Sequence, residues 1–289
     1  MDQKKFALVT GGAGFVGSNL CKRLLSDGYR VVSLDNYFSG SKDNHIDGVE
    51  YIEGHTKDIS KLVKETPDII YHLGEYSRVA ASLEEPAVVW DLNLVGTMGV
   101  LEFWREHKCK LVYAGSSTKH NGIQVTGNLG KHIAPYTHAK AVNTETVSCY
   151  SKWYGLPYAI VYFYNVYGEG ERSIEEYGTV IETFRKNYLE GKPFQVRRPG
   201  TQMRSYTHIE DTVDGIIIAG EKGEGDDYGI GAKESYSLLE VADMFGGKVE
   251  MLPPTKTTRT SNEVDVQKIS LLGWKQKHTL PEYINSVKK

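Results

Sequence analysis

The chain has 289 residues, 34 Lys and Arg against 37 Asp and Glu, nine His and three Cys, with 40% hydrophobic residues. At this length an α/β core buries about three quarters of the unfolded chain's surface, so no disulfide or metal staple is needed. Charge is nearly balanced, with no basic tail and no long run of one sign, which excludes the electrostatic footprint of a nucleic-acid or anionic-membrane partner.

Met1–Lys5 leads straight into an apolar run without a signal-peptide core, which predicts no secretion signal. Short β-branched runs predict strands over 5–10, 30–35, 49–53, 68–73, 110–115 and 157–163, and apolar residues three and four apart predict helices over 14–27, 84–107 and 136–154. Repeated strand–helix units of this kind predict a right-handed, doubly wound parallel sheet over residues 1–165. Beyond Asn165 shorter elements alternate with turns at Gly168-Glu169-Gly170, Gly191-Lys192-Pro193, Pro199-Gly200 and Pro253-Pro254, which predicts a smaller C-terminal α/β lobe over 166–289, with the chain crossing between lobes. The apolar stretch 215–220 is far shorter than the ~20 residues of a membrane span. Cys21, Cys109 and Cys149 are widely spaced and form no Cys/His cluster, which points to reduced thiols in a cytoplasmic protein and to no metal site.

The first predicted strand runs into Thr10-Gly11-Gly12-Ala13-Gly14-Phe15-Val16-Gly17 and then an amphipathic helix. Gly11, Gly14 and Gly17 suit a tight turn, close approach of a pyrophosphate to the helix N-terminus, and close helix–strand contact, as in a Rossmann-like dinucleotide site. The second strand ends in Asp35, 18 positions beyond Gly17, where a carboxylate accepts from adenosine ribose hydroxyls and repels a 2′-phosphate. The cofactor expected is therefore NAD. The blander alternative for Asp35 is a turn cap with Asn36.

Strand 110–115 delivers Ser116-Ser117-Thr118 at its C-terminal end, where ligands bind in open α/β sheets. Tyr136 and Lys140 follow, four apart on one helix face. An ammonium beside a phenol favours phenolate, drawing a pKa of about 10 toward working pH so that the Tyr exchanges a proton with a substrate hydroxyl. Many solvated helices carry such a pair by chance. Its position after the serines and the glycine turn decides for chemistry.

With TGGAGFVG, Tyr136-xxx-Lys140, His72-Leu73, Asn93 with Gly96-Thr97, Asn165-Val166-Tyr167-Gly168, Gly200-Thr201-Gln202-Met203-Arg204 and Leu272-Gly273-Trp274, nearly the whole chain resembles the extended short-chain dehydrogenase/reductases of the NAD-dependent nucleotide-sugar epimerase/dehydratase family. The resemblance implies that Ser117 is the active-site Ser/Thr, Tyr136 the acid/base and Lys140 the ribose-binding lysine that tunes it. It further implies that Phe15, Val16, Asp35, Asn36, Leu73 and Asn93 line the NAD site, that Asn165 and Arg204 bind substrate, with Arg204 on the diphosphate, and that the chain is a homodimer through helices 84–107 and 136–154. Val142, Val147 and Trp153 offer a second apolar face on the latter helix.

Departures from the family pattern shape the substrate reading. Thr118-Lys119 stand where the 4,6-dehydratases carry Asp-Glu, which argues against water elimination. Lys119 reads first as a solvated loop lysine and second as a contact to an acidic substrate group or a proton-transfer residue. Glu75 replaces a small residue after His72-Leu73-Gly74; Arg197-Arg198-Pro199 form a basic cluster suited to a diphosphate; Arg259 takes a shifted position for the family's second diphosphate arginine. The nine histidines show no metal spacing, and His208 reads as structural. The leading expectation is C4 epimerisation of a UDP-hexose through a 4-keto intermediate with recycled NAD. A keto-sugar reductase, a UDP-glucuronate decarboxylase and, last, a non-enzymatic NAD-sensing module are the alternatives.

Overall fold

The computed structural model describes residues 4–117, 134–171, 178–254 and 264–288. All six predicted strands are present: β1 (Phe6–Thr10), β2 (Arg30–Asp35), β3 (Glu50–Glu53), β4 (Ile69–His72), β5 (Lys110–Ala114) and β6 (Tyr158–Phe163). Short strands follow: β7 (Val166–Tyr167), β8 (Phe194–Arg197), β9 (Met203–Ser205), β10 (Thr207–His208), β11 (Gly225–Ile230), β12 (Ser235–Ser237) and β13 (Val249–Leu252). The described helices are α1 (Phe15–Ser26), α2 (Ile59–Leu62), α3 (Pro86–Val89), α4 (Gly96–His107), α5 (Pro135–Tyr154), α6 (Val180–Leu189), α7 (Ile209–Lys222), α8 (Leu238–Phe245), α9 (Gln267–Leu271) and α10 (Leu280–Val287).

Seven strands form one parallel sheet in the order β11-β6-β5-β4-β1-β2-β3. Every residue of β1 is buried, as expected of a parallel strand covered on both faces. Alternation along it sends Ala7 and Val9 to a core shared with Leu20 of α1 and Ile216 of α7, and Leu8 to an opposite core shared with Phe103 of α4 and Val147 of α5. The chain after Asn165 serves both lobes, because α7 packs on the sheet and β11 extends it at the β6 edge. Three two-stranded pieces, β7 with β10, β8 with β13 and β9 with β12, surround a third core in which Phe184, Phe194 and Phe245 meet.

Two helical expectations need correction. The segment 84–107 is not one helix: α3 passes into a π-helical stretch, Trp90–Val95, before α4 begins. Asn93 explains the wider winding, since its side chain accepts from Tyr76 N (2.6 Å) and donates to Tyr76 O (3.1 Å), while its carbonyl accepts from Asn143 Nδ2 (2.9 Å). Those cross-links to the loop after β4 and to α5 offset the poorer fit of the i→i+5 ladder. Val147 does not sit on an outer face. It is fully buried in the core, leaving Val142 and Trp153 at 37% and 65% exposure.

Candidate active site

The order of the large sheet reverses between β1 and β4, and ligands in open α/β sheets bind at such a switch point, beyond the C-terminal strand ends. A cavity of about 790 Å³ lies there. Among the residues lining it are Gly11, Gly14, Phe15, Val16 and Gly17 of the glycine turn, Asp35 and Asn36 after β2, and Leu73 after β4. Glycine is required twice in the turn. Gly11 has φ +75°, and a Cβ on Gly17 would overlap the Gly11 carbonyl oxygen. Gly14 caps α1 without a side-chain hydrogen bond, so the first N–H groups of the helix face the cavity uncovered by a side-chain cap.

Asp35 realises the turn-cap reading and still faces the cavity. Its Oδ1 accepts from Tyr37 N (2.8 Å) and its Oδ2 from Ala13 N (2.9 Å), tying the end of β2 to the glycine turn. Each oxygen keeps a second lone pair. Burial pushes this carboxyl above its ordinary range, against the pull of the two N–H groups. A glycine cradle that a Cβ would fill, an uncapped helix N-terminus and an acidic residue at the next strand end together fit a dinucleotide.

The reactive end is built by α5. Pro135 starts the helix, and Thr137 closes the first turn by accepting from Ala134 N (3.1 Å) and donating to Ala134 O (2.8 Å). Tyr136 and Lys140 are both buried and both line the cavity. The Tyr136 phenol donates to Ser116 Oγ (3.3 Å), a residue the sequence reading passed over for its neighbour Ser117, which lines the same cavity. Lys140 Nζ donates to Ala114 O (2.6 Å) and to Glu75.

Behind Lys140 runs a fully buried polar chain. Thr10 Oγ1 meets His72 Nδ1 (2.7 Å), His72 Nε2 meets Thr97 Oγ1 (2.9 Å), and Thr97 donates to Glu75 Oε1 (2.8 Å). Thr10 Oγ1 also accepts from Leu73 N (3.2 Å) and Gly74 N (3.0 Å), so its proton goes to His72 Nδ1 and the ring carries its own proton on Nε2. Burial pushes the His72 imidazole down to about 4, which keeps that ring neutral. Burial alone would raise the Glu75 carboxyl, but the Lys140 ammonium outweighs it and holds the group below the ordinary carboxylate range.

On the far side the cavity is lined by Asn165, Arg197 and Arg204. Asn165 adopts φ +39° and donates to Ser205 O (2.8 Å). Burial lowers the Arg204 guanidinium from its ordinary value, although the group lines an opening large enough for an anion. Glu171 and Arg78, which the sequence reading did not single out, also line the cavity. Asn93 departs from expectation: it is fully buried in the helical winding behind the wall, bound to the Tyr76 backbone. Lys119 and Arg259 lie outside the described residues. His208 caps α7 by accepting from Glu210 N (3.3 Å). Among the described residues His208, Glu210 and His278 bring ligand-capable atoms within 4.8 Å of one another, a grouping invisible in sequence, with both rings already committed to capping and to Asp211. No described helix is long and apolar enough to cross a membrane.

Residues 7–231 match the NAD dependent epimerase/dehydratase family. A UDP-N-acetyl-alpha-D-glucosaminuronate decarboxylase of Bacillus cytotoxicus is 30% identical over 83% of this chain and 78% of its own length. The crystal structure of UDP-glucose 4-epimerase from Thermotoga maritima with UDP-glucose superposes with TM-score 0.90 at 26% identity, covering 98% of this chain and 97% of that one. The Thermus thermophilus UDP-glucose 4-epimerase in complex with NAD gives TM-score 0.86 at 26% identity over 98% of each chain.

Proposed function

The chain belongs to the NAD-dependent epimerase/dehydratase family, and from that membership we propose that it epimerises a nucleotide sugar at C4, with a UDP-hexose as substrate. NAD, when bound, supplies reversible hydride exchange at the sugar carbon. The glycine turn, the N-terminus of α1 and Asp35 hold its pyrophosphate and adenosine, and Lys140 holds the ribose nearest the reacting carbon. Tyr136 removes the C4-hydroxyl proton, Ser117 hydrogen-bonds that oxygen, and Ser116 orients the phenol. The 4-keto sugar then presents its other face, and Tyr136 returns the proton. Arg197 and Arg204 pair with the diphosphate, for which a guanidinium fork is suited.

The observation that carries this reading is the sharing of one cavity by Tyr136, Ser116 and Ser117 with the glycine turn and Asp35. The test is incubation of the purified protein in D₂O, without added cofactor, with UDP-, dTDP-, GDP- and CDP-sugars, read by NMR and mass. A C4 epimer of unchanged mass with no carbon-bound deuterium is expected. Loss of water, deuterium at C3 or C5, or turnover only when NAD(P)H is supplied would overturn the reading. Tyr136→Phe should lose on the order of 10³-fold in kcat, a typical acid–base contribution, while still binding NAD.

A second reading, decarboxylation of a nucleotide uronate, draws on the Bacillus cytotoxicus relative and on Arg78 in the cavity wall, where a guanidinium suits a sugar carboxylate. Release of CO₂ from UDP-glucuronate in the same panel would establish it. The exposed Met98, Val142 and Trp153 on α4 and α5 are the proposed homodimer face, and light scattering that finds a concentration-independent monomer would exclude it. Three unpaired cysteines favour a cytoplasmic setting.

A further inference from the structure

Glu75 stands where the family resemblance places a small residue, and the fold surrounds it with donors. Its Oε1 accepts from Thr97 Oγ1 (2.8 Å), Asn143 Nδ2 (2.7 Å) and Tyr113 OH (3.2 Å), while its Oε2 is paired with Lys140 Nζ. The Glu75 side chain is 1% exposed and that of Lys140 6%. Against its burial, the Lys140 charge and the hydrogen bonds the group accepts hold the carboxyl below its ordinary range, so it stays ionised. Two opposite charges buried this deeply contribute little net stability, since desolvation offsets their attraction.

The geometry gives the pair another use. An ammonium has three N–H donors on a freely rotating head at the end of a flexible stem. Glu75 takes one donor and Ala114 O another, and with two directions pinned the tetrahedral head has one left. Lys140 lines the cavity at the tips of β4 and β5, in the same wall as the glycine turn and Tyr136.

We propose that Glu75 is a positioning residue that turns the Lys140 ammonium into a donor of fixed direction for NAD. Glu75 borders the same cavity, but its side chain is almost fully buried and its carboxylate is turned to Lys140, Thr97, Asn143 and Tyr113, so it acts through Lys140. The neighbours facing the pair, His72, Tyr113 and Tyr136, cannot replace it. His72 is neutral and bound to Thr10 and Thr97, and the Tyr113 hydroxyl already donates to Glu75. Gln at position 75 keeps the size but has only one acceptor oxygen, so it satisfies either Lys140 or the opposing trio of donors.

The inference rests on the assignment of Lys140 to NAD, and the test separates the two. NAD⁺ affinity is measured by calorimetry for wild type, Lys140→Met, Glu75→Gln and the double variant, alongside thermal stability. Each single variant should weaken NAD⁺ binding about tenfold, and the double should match Lys140→Met within about threefold, because Glu75 has nothing left to act on. Losses that multiply to about a hundredfold in the double would overturn the inference and leave the Lys140 assignment standing. Unchanged affinity in Lys140→Met would overturn both. If Glu75→Gln alone does not fold, Lys140→Met against the double still decides: equal affinities support the coupling, and a further tenfold loss refutes it.

Discussion

Replacing Gly17 by alanine puts a methyl group into the contact between α1 and the turn after β1. The added Cβ overlaps the Gly11 carbonyl oxygen and lies 2.8 Å from both Gly11 C and Gly12 Cα. The obstructing atoms are backbone, so no side-chain rotation relieves the clash. Overpacking of this kind costs about 3 kcal/mol, the upper part of the usual range. Gly17 lies within α1, where alanine is intrinsically better by about 1 kcal/mol, which leaves a net loss of about 2 kcal/mol. For a chain of this size, with an unfolding entropy of about 2.1 cal/mol/K per residue, that corresponds to a fall of about 3 °C in Tm. The turn must open to accept the methyl, so NAD affinity should drop tenfold or more, on the order of what a lost charge-assisted contact costs. Gly155→Ala is the control. That residue closes α5 at φ +67° with nothing within 4 Å of a Cβ, so only backbone strain of about 1 kcal/mol applies and NAD binding is untouched. Thermal denaturation and NAD calorimetry on both variants check the reasoning. A Gly17→Ala protein with wild-type Tm and wild-type NAD affinity would refute it.

Asp35→Ser should weaken NAD binding while improving NADP binding, so that the preference between the two falls at least tenfold; unchanged discrimination by calorimetry would remove Asp35 from cofactor selection. Burial pushes the Glu171 carboxyl up to about 7, against hydrogen bonds from Thr179 N (2.6 Å) and Oγ1 (2.8 Å). The folded state therefore holds this proton more tightly than the unfolded chain, a contribution fully present below the unfolded value and lost as pH rises through 7. Glu171→Gln should accordingly gain on wild type between pH 5 and 8, by at most about 3 kcal/mol, and a Tm difference independent of pH would contradict that sign.

Most of the strands were legible because parallel strands buried on both faces are apolar runs, whereas β3, at the sheet edge, is a partly exposed EYIE; each of the six lies within two residues of its predicted ends at either side. The glycine turn, Asp35, Tyr136 and Lys140 were legible because their roles follow from local spacing. Other features depend on contacts that spacing does not encode. Glu75 stood out as a departure, but its partner Lys140 lies 65 residues further on and reaches it only once β4, β5 and α5 are assembled. Ser116 and Ser117 are adjacent, and only the orientation of the strand end gives the phenol to Ser116. Val147 has the periodicity of two faces at once, and packing against the sheet chose the inner one. The break inside 84–107 has no glycine or proline at its centre to announce it. Asn93 causes it through partners at Tyr76 and Asn143.

That π-helical stretch also fixes how the chain can vary in length. A π turn takes up about one more residue than an α turn, so removing one residue from Trp90–Val95 would rewind the stretch as α-helix and leave the segments on either side facing nearly as they do. Val89, fully buried beside Tyr76 and Ala139, would keep its face, but the loop that Asn93 clasps would lose its anchor. A gap opened here in an alignment is therefore neutral for register but not for the loop. It marks a chain whose loop after β4, the one carrying Glu75, is held by some other means.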